Sequence, residues 1–250
     1  MAIWKKFKTI VNYYRLNVQA ALRKKKLARS IVQSEINHLM TTVTLPIKWY
    51  GSGYGGFYIC PQFLTEKSIV YSFGIGKDIS FDKKCMQYHS CEVFGFDPTP
   101  VAVQWVKDQD LPDSFHFYEY GLSRASGSME FFVPLEKISG SLFEHHALDK
   151  VRKIMVDMLS LNDIVLRFRH QHIDVLKMDI EGAEYDVLLD AGRWNVSVDQ
   201  LLVEFHDRMF PDGVDRSRQV VKILRELGYQ IFAASESFEE VSFIHERLLH

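Results

Sequence analysis

The chain has 250 residues, 47% of them hydrophobic and 25% charged, which suits one α/β domain with an appendage and a sizeable core. Its net charge of −2 is unevenly spread. Residues 1–50 hold ten Lys and Arg against one acid, Glu35, so they carry +9 and residues 51–250 carry −11. An acidic body argues against a nucleic-acid groove, and no apolar run reaches the ~18 residues of a membrane-spanning helix.

Residues 3–40 read as one helix, free of Gly and Pro, with Ile3, Phe7, Ile10, Val11, Tyr14, Val18, Ala21 and Leu22 recurring at three- and four-residue steps. The opposite side is expected to be basic, centred on Arg23, Lys24, Lys25 and Lys26. Such a helix, with Trp4 near its start, can lie on an anionic membrane surface, giving peripheral contact through residues 1–30. The alternative is a helix packed on the domain with its basic face in solvent. Lys5, Lys6 and Lys8 interrupt any apolar signal core. Cys60, Cys85 and Cys91 are odd in number and lack metal-site spacing, so a reduced, cytoplasmic setting is expected. The division is a basic helical extension, 1–45, and a catalytic domain, 46–250.

Gly51, Gly53, Gly55 and Gly56 alternate with Trp49, Tyr50, Tyr54, Phe57 and Tyr58, which forbids a regular helix. Aromatic side chains on such a loop can cover a ligand or fill the core. Next, Ile69, Val70, Tyr71 and Phe73 form a strand buried on both faces, and Gly74 and Gly76 allow a tight turn with close approach of backbone to ligand. A helix over 79–89 and a second strand ending at Asp97 follow. Asp97 lies 21 residues after Gly76, near the ~20 that separate a glycine loop from a ribose-binding carboxylate. Position 78 is Asp rather than a third Gly. Its charge would repel a pyrophosphate, which favours a nucleoside without phosphates.

Pro98 and Pro100 open a helix over 99–108. A third strand, 115–120, leads to Gly121 and Leu122. Residues 124–150 read as irregular and are assigned part of the acceptor pocket, and 159–170 as a helix. The strand 173–178 ends at Asp179, and Glu181, Gly182, Ala183 and Glu184 open a helix to about Leu189, stopped by Gly192. Glu184 is read as a complement to the helix dipole. A strand over 200–204 ends in Glu204, Phe205, His206 and Asp207. A helix over 215–227 and a closing hairpin, 229–233 and 241–245, complete the chain.

Four blocks resemble the FkbM-type methyltransferases: VYSFGIGKDISFD from Val70, FGFDPTP from Phe94, VLKMDIEGAEY from Val175 and LVEFH from Leu202. The resemblance runs from about residue 50 to 245. It implies a Rossmann-like class I methyltransferase fold: a mostly parallel seven-stranded sheet, helices on both faces and an antiparallel last strand. It also implies S-adenosyl-L-methionine as cofactor and O-methylation, often of a sugar hydroxyl, so the expected partner is a small-molecule or glycan acceptor. Cofactor contacts are then expected from Ser72, Gly74, Gly76, Asp78, Asp97, Pro98, Gly121, Leu122 and Asp179. Ser72 occupies the slot where that class usually carries an acid, and Glu119 is a further candidate for the adenine.

The expected catalytic residues are Asp179, His206, Glu204 and Glu181. Asp179 and His206 flank the acceptor hydroxyl, with His206 as base oriented by Glu204 or Asp207. Asp179, Glu181, Glu204 and His206 also offer hard ligands suited to Mg²⁺, but no closely spaced ligand motif is present, so metal-free chemistry is the reading carried forward. A nicotinamide-dependent oxidoreductase shares the strand-end carboxylate, and a non-catalytic methyltransferase-like module is the third reading.

Overall fold

The computed structural model describes residues 2–134 and 151–250. Helix α1 (Ala2–Arg29) is followed by one short turn of helix, α2 (Gln33–Ile36), and a 3₁₀ turn, Asn37–Leu39. The single helix expected over 3–40 therefore ends early. Ser30 closes α1 on Leu27, and Val32 is extended, as a β-branched residue favours.

A small antiparallel hairpin, β1 (Lys48–Tyr50) and β2 (Phe57–Ile59), carries the glycine-aromatic loop between its strands. The main body follows: β3 (Ile69–Phe73), α3 (Ser80–His89), β4 (Glu92–Phe96), α4 (Pro100–Lys107) and β5 (Phe115–Tyr118). After an excursion through β6 (Gly121–Leu122), β7 (Gly127–Pro134) and β8 (Val151–Leu159), the chain returns with α5 (Leu161–Phe168), β9 (His172–Met178), α6 (Glu184–Leu189), β10 (Ser197–Glu204), α7 (Gly213–Glu226), β11 (Tyr229–Ala234) and β12 (Glu240–His245).

The large sheet has seven strands in the order β11-β12-β10-β9-β3-β4-β5. β3, β4, β5, β9 and β10 pair in parallel, and β12 runs antiparallel between β10 and β11. Alternation along the strands separates two cores. Tyr71, Phe73, Leu201 and Val203 join one with α5, α6 and α7, while Val70 and Leu202 join the other with α3, α4 and β2.

Two expectations are corrected by this architecture. Residues 127–134 are not irregular: β7 pairs antiparallel with β8, which also pairs with β6 in a three-stranded sheet. The rest of that expected irregular stretch, 135–150, lies outside the described residues. The helix expected from 159 begins at Leu161, where Ser160 caps it by accepting from the Asp163 amide.

The third correction concerns α1. Its basic run is divided between two faces. Arg23 pairs with Glu239 (2.8 Å) and approaches Glu204 (3.9 Å), and Lys24 pairs with Glu240, so these two cations face the domain. Lys25, Lys26 and Arg29 face solvent beside exposed Val11, Val18 and Leu22. Among the described residues, these ion pairs and the Gly53 amide, which donates to Asn17 Oδ1 (2.9 Å), tie the helix to the domain.

The connection after α1 is anchored on α7. His38 Nε2 lies 2.8 Å from the Ser217 hydroxyl, and Arg225 donates to the His38 carbonyl (3.0 Å). Burial, with Arg218 and Arg225 adding to it, lowers the His38 pKa to about 4. The folded value lies below the unfolded 6.5, so the stability it contributes is complete above pH 6.5 and is lost as pH falls towards 4. We predict that the urea midpoint falls between pH 7 and pH 4.5 more steeply in the wild type than in His38→Gln; parallel falls would refute this account.

The ends of β3 and β9 meet at Gly74, whose φ is +81°. A Cβ there would sit 1.7 Å from the Asp179 carbonyl oxygen. Gly74→Ala should therefore cost more than about 2 kcal/mol, because backbone cannot yield as a side-chain tip does. A urea midpoint within error of the wild type would show that the junction is looser than this geometry.

Candidate functional site

The carboxyl ends of β3, β4 and β9 open into a cleft of about 770 Å³, part of it open to solvent. Ligands in open α/β sheets bind at such strand ends. Gly74, Gly76, Asp78, Asp97, Pro98, Gly121, Leu122, Asp179 and Glu181 all line it. The same wall holds residues that sequence reasoning did not single out as site residues: Lys177, Phe131 and Met158.

The glycine turn is closed by a carboxylate. Gly76, at φ +53°, donates its amide to Asp97 Oδ2 (2.8 Å), so the 21-residue interval resolves into one hydrogen bond. The other Asp97 oxygen accepts from the Thr99 amide (2.9 Å) and hydroxyl (2.6 Å). Burial pushes the Asp97 carboxyl up, against the lowering effect of these bonds. No atom lies within 4 Å of where a Gly76 Cβ would be, so the turn leaves room above it.

Asp78 caps α3 through the Ser80 amide (2.8 Å) and accepts the Ser52 hydroxyl, tying the glycine-aromatic loop over the turn. Of the five aromatics on that segment, Tyr54 reaches the cleft. Its hydroxyl is held above the ordinary range by burial and by the charges of Asp179, Glu181 and Glu204. The others have packing roles: Phe57 is fully buried, and Trp49 packs edge-on against Tyr58 with centroids 5.0 Å apart.

Two expected contacts are placed elsewhere. Ser72 is fully buried beside Asp82 and does not line the cleft. A strand residue two before the turn points into the sheet's packed face, and a serine is too short to return. Glu119, the adenine candidate, is exposed and pairs with Lys107 (2.7 Å).

At the other end of the cleft stands a buried ionisable array. The helix expected from Glu181 starts at Glu184 instead, because Glu181 (φ +51°) and Gly182 (φ +103°) form a left-handed turn. The Glu184 carboxylate is completely buried. One oxygen accepts from the Gly182 amide (2.8 Å), and the other meets the His206 amide (3.1 Å) and Nδ1 (3.0 Å). The orienting partner of His206 is thus Glu184, not Glu204 or Asp207. Asp207 is occupied by the Tyr185 and Ser217 hydroxyls, each at 2.7 Å. A carboxylate on the first turn of a helix carries an ordinary dipole explanation, which hides this second role.

With Nδ1 held by Glu184, Nε2 of His206 faces Glu181 (3.5 Å), Asp179 (3.8 Å) and Glu204 (3.8 Å). Burial opposes a charged ring here, but Glu184, Glu181 and Glu204 outweigh it and raise the imidazole well above its usual pKa. Burial, with Asp179 and Glu240, likewise raises Glu204. His206 does not keep the near-neutral pKa expected from sequence. The donor atoms of Asp179, Glu181 and His206 lie within 4.8 Å of one another, close enough to serve one cation.

Residues 59–231 match the methyltransferase FkbM domain. The chain is 28% identical over 193 residues to a probable methyltransferase-like protein 24 of Homo sapiens, covering 74% of this chain and 47% of the relative. The Rattus norvegicus protein of the same description is 25% identical over the same length and shares. The chain spans about half the length of these curated relatives. With the domain match covering well over half of its residues, the chain belongs to the FkbM methyltransferase family.

Proposed function

We propose that this chain is an S-adenosylmethionine-dependent methyltransferase of Rossmann-like, class I type, acting on a hydroxyl of a sugar, glycan or related polyol. The observation that carries the reading is the joining of a ribose-type carboxylate, Asp97, to an open glycine turn in a cleft that ends in an acidic array. The residues present fit the cofactor. Asp97 already accepts three hydrogen bonds and keeps a lone pair on Oδ2 for a ribose hydroxyl, Leu122, Phe131 and Met158 supply an apolar wall for adenine, and the turn at Gly74–Gly76 supplies backbone beside the methionine part. Lys177, buried on the same wall, offers a positive charge to a carboxylate tail. When bound, the cofactor supplies a methyl group on a sulfonium, which is a good leaving group.

What remains for the protein is alignment and proton removal. Alignment of donor and acceptor accounts for about 7–11 kcal/mol of barrier reduction in well-oriented systems. Asp179 and Glu181 place oxygen acceptors on the cleft wall where a hydroxyl would enter, and the fixed Glu184–His206 pair lies behind them. The proton of the acceptor hydroxyl passes into this array, a step worth about 10²–10⁴-fold when a positioned group takes part. Tyr54 lines the cleft, with a hydroxyl held above its ordinary range by burial and the nearby carboxylates.

Two measurements test the reading. Calorimetry should show micromolar binding of S-adenosylmethionine and S-adenosylhomocysteine, lost in Asp97→Ala; binding of NAD instead would move the chain to the oxidoreductases. His206→Ala should lower turnover at least about tenfold with cofactor affinity nearly intact. Unchanged turnover would remove the array from the chemistry.

A further inference from the structure

We propose that Asp179, Glu181 and His206 form a binding site for one hard divalent cation of the Mg²⁺/Mn²⁺ class. Three features beyond acidity point to a ligand. First, the only hydrogen bond of the His206 ring among the described residues is made by Nδ1, to Glu184. Nε2 makes none, although the residue is 1% exposed. A carboxylate on one ring nitrogen, with the other making no hydrogen bond and turned towards further carboxylates, is the arrangement of metal-bound histidines. Second, Glu204 is 7% exposed and accepts no hydrogen bond among the described residues, yet its Oε1 is 3.8 Å from Nε2. Its nearest cationic groups are the His206 ring and Arg23, which approaches from α1 at 3.9 Å, so no direct hydrogen bond fixes its oxygens among the described residues.

Third, the distances suit a shared ion. Two donors each about 2.1 Å from one ion lie no more than about 4.2 Å apart. Nε2 to the Glu181 and Asp179 oxygens measures 3.5 and 3.8 Å. Two carboxylates and one imidazole favour Mg²⁺ or Mn²⁺ over thiol-seeking metals.

A second group of similar residue types provides a contrast. His172, Asp174 and Asp199 also lie within 4.8 Å of one another, at the start of β9 and β10. There the chain already satisfies the carboxylates. Asp174 accepts from the Ser68 hydroxyl (2.8 Å) and the Ile69 amide (2.7 Å), and Asp199 accepts from Arg247 (2.6 Å).

Asp179 and Glu181 line the cleft, so a cation there would meet an oxygen ligand entering from the acceptor side and polarise it. That catalytic role rests on the methyltransferase reading; cation binding itself does not.

The test is Mn²⁺ titration of the full chain, followed by electron paramagnetic resonance and calorimetry, with S-adenosylhomocysteine binding measured in parallel. One Mn²⁺ per chain is expected, with affinity at least tenfold weaker in Glu181→Gln and in His206→Ala, and unchanged in Asp199→Asn. Pulsed resonance of the wild type should show the nitrogen coupling of a directly bound imidazole, which needs no variant to fold. Absence of Mn²⁺ binding, absence of that coupling, or equal affinity in folded Glu181→Gln would overturn the site. S-adenosylhomocysteine binding without Mn²⁺ would sink the cation site alone. Mn²⁺ binding without S-adenosylhomocysteine would keep the site and count against the proposed function.

Discussion

The backbone of Gly74 lies against the carbonyl of Asp179, so close that no side chain fits between them. Around that contact the Gly74 amide donates to Phe96 and the Asp179 amide donates to Phe73, which ties the ends of β3, β4 and β9 together. The turn that follows β3 is thereby fixed beside Asp97 on one side and Asp179 on the other. Phe73 and Phe96 stack beneath it with centroids 4.4 Å apart, so the cleft floor is rigid, close-packed aromatic surface. A cleft built this way holds its geometry through main chain and core, and leaves the side chains above it free to meet a ligand.

The array at the far end is a different kind of structure. Burying a His beside four carboxylates does not serve stability, because the desolvation of such groups offsets most of their attraction. Removing one member of a buried pair generally costs about 3–5 kcal/mol, since the other is left uncompensated. The fold supports this arrangement with backbone: Gly182 and the His206 amide both donate to Glu184, and the left-handed turn at Glu181 aims its neighbours inward. Strain and buried charge gathered at one strand end are the marks of a site kept for its chemistry.

Much of this was legible in the sequence, and the residues show why. The buried strands at 69–73, 173–178 and 200–204 are short, largely apolar runs, the first running into Gly74 and the other two ending at Asp179 and Glu204, a pattern that leaves few alternatives. Gly76 and Asp97 signal each other through their spacing. The hairpin of β7 and β8 was missed because its alternation, as in Ile154, Val156 and Met158, is shared with charged residues on the other face and interrupted by a long connection. The role of Glu184 was hidden because local physics already accounts for an acid there. The orientation of α1 was misjudged for a related reason: periodicity locates an apolar stripe, but Glu204, Glu239 and Glu240, far along the chain, decide which side turns inward.

The place of β12 has a consequence for how the chain assembles. β11 joins the large sheet only through β12, and β12 inserts between β10 and β11 after both have been made. Until residues 240–245 arrive, β10 presents an open edge of buried, apolar strand, the kind of edge that invites pairing with another chain. Lys24 of the first helix then closes on Glu240 of this last strand. Helix α1 and strand β12 thus meet at the place β12 fills between β10 and β11, and the contact between them forms only once β12 is in the sheet.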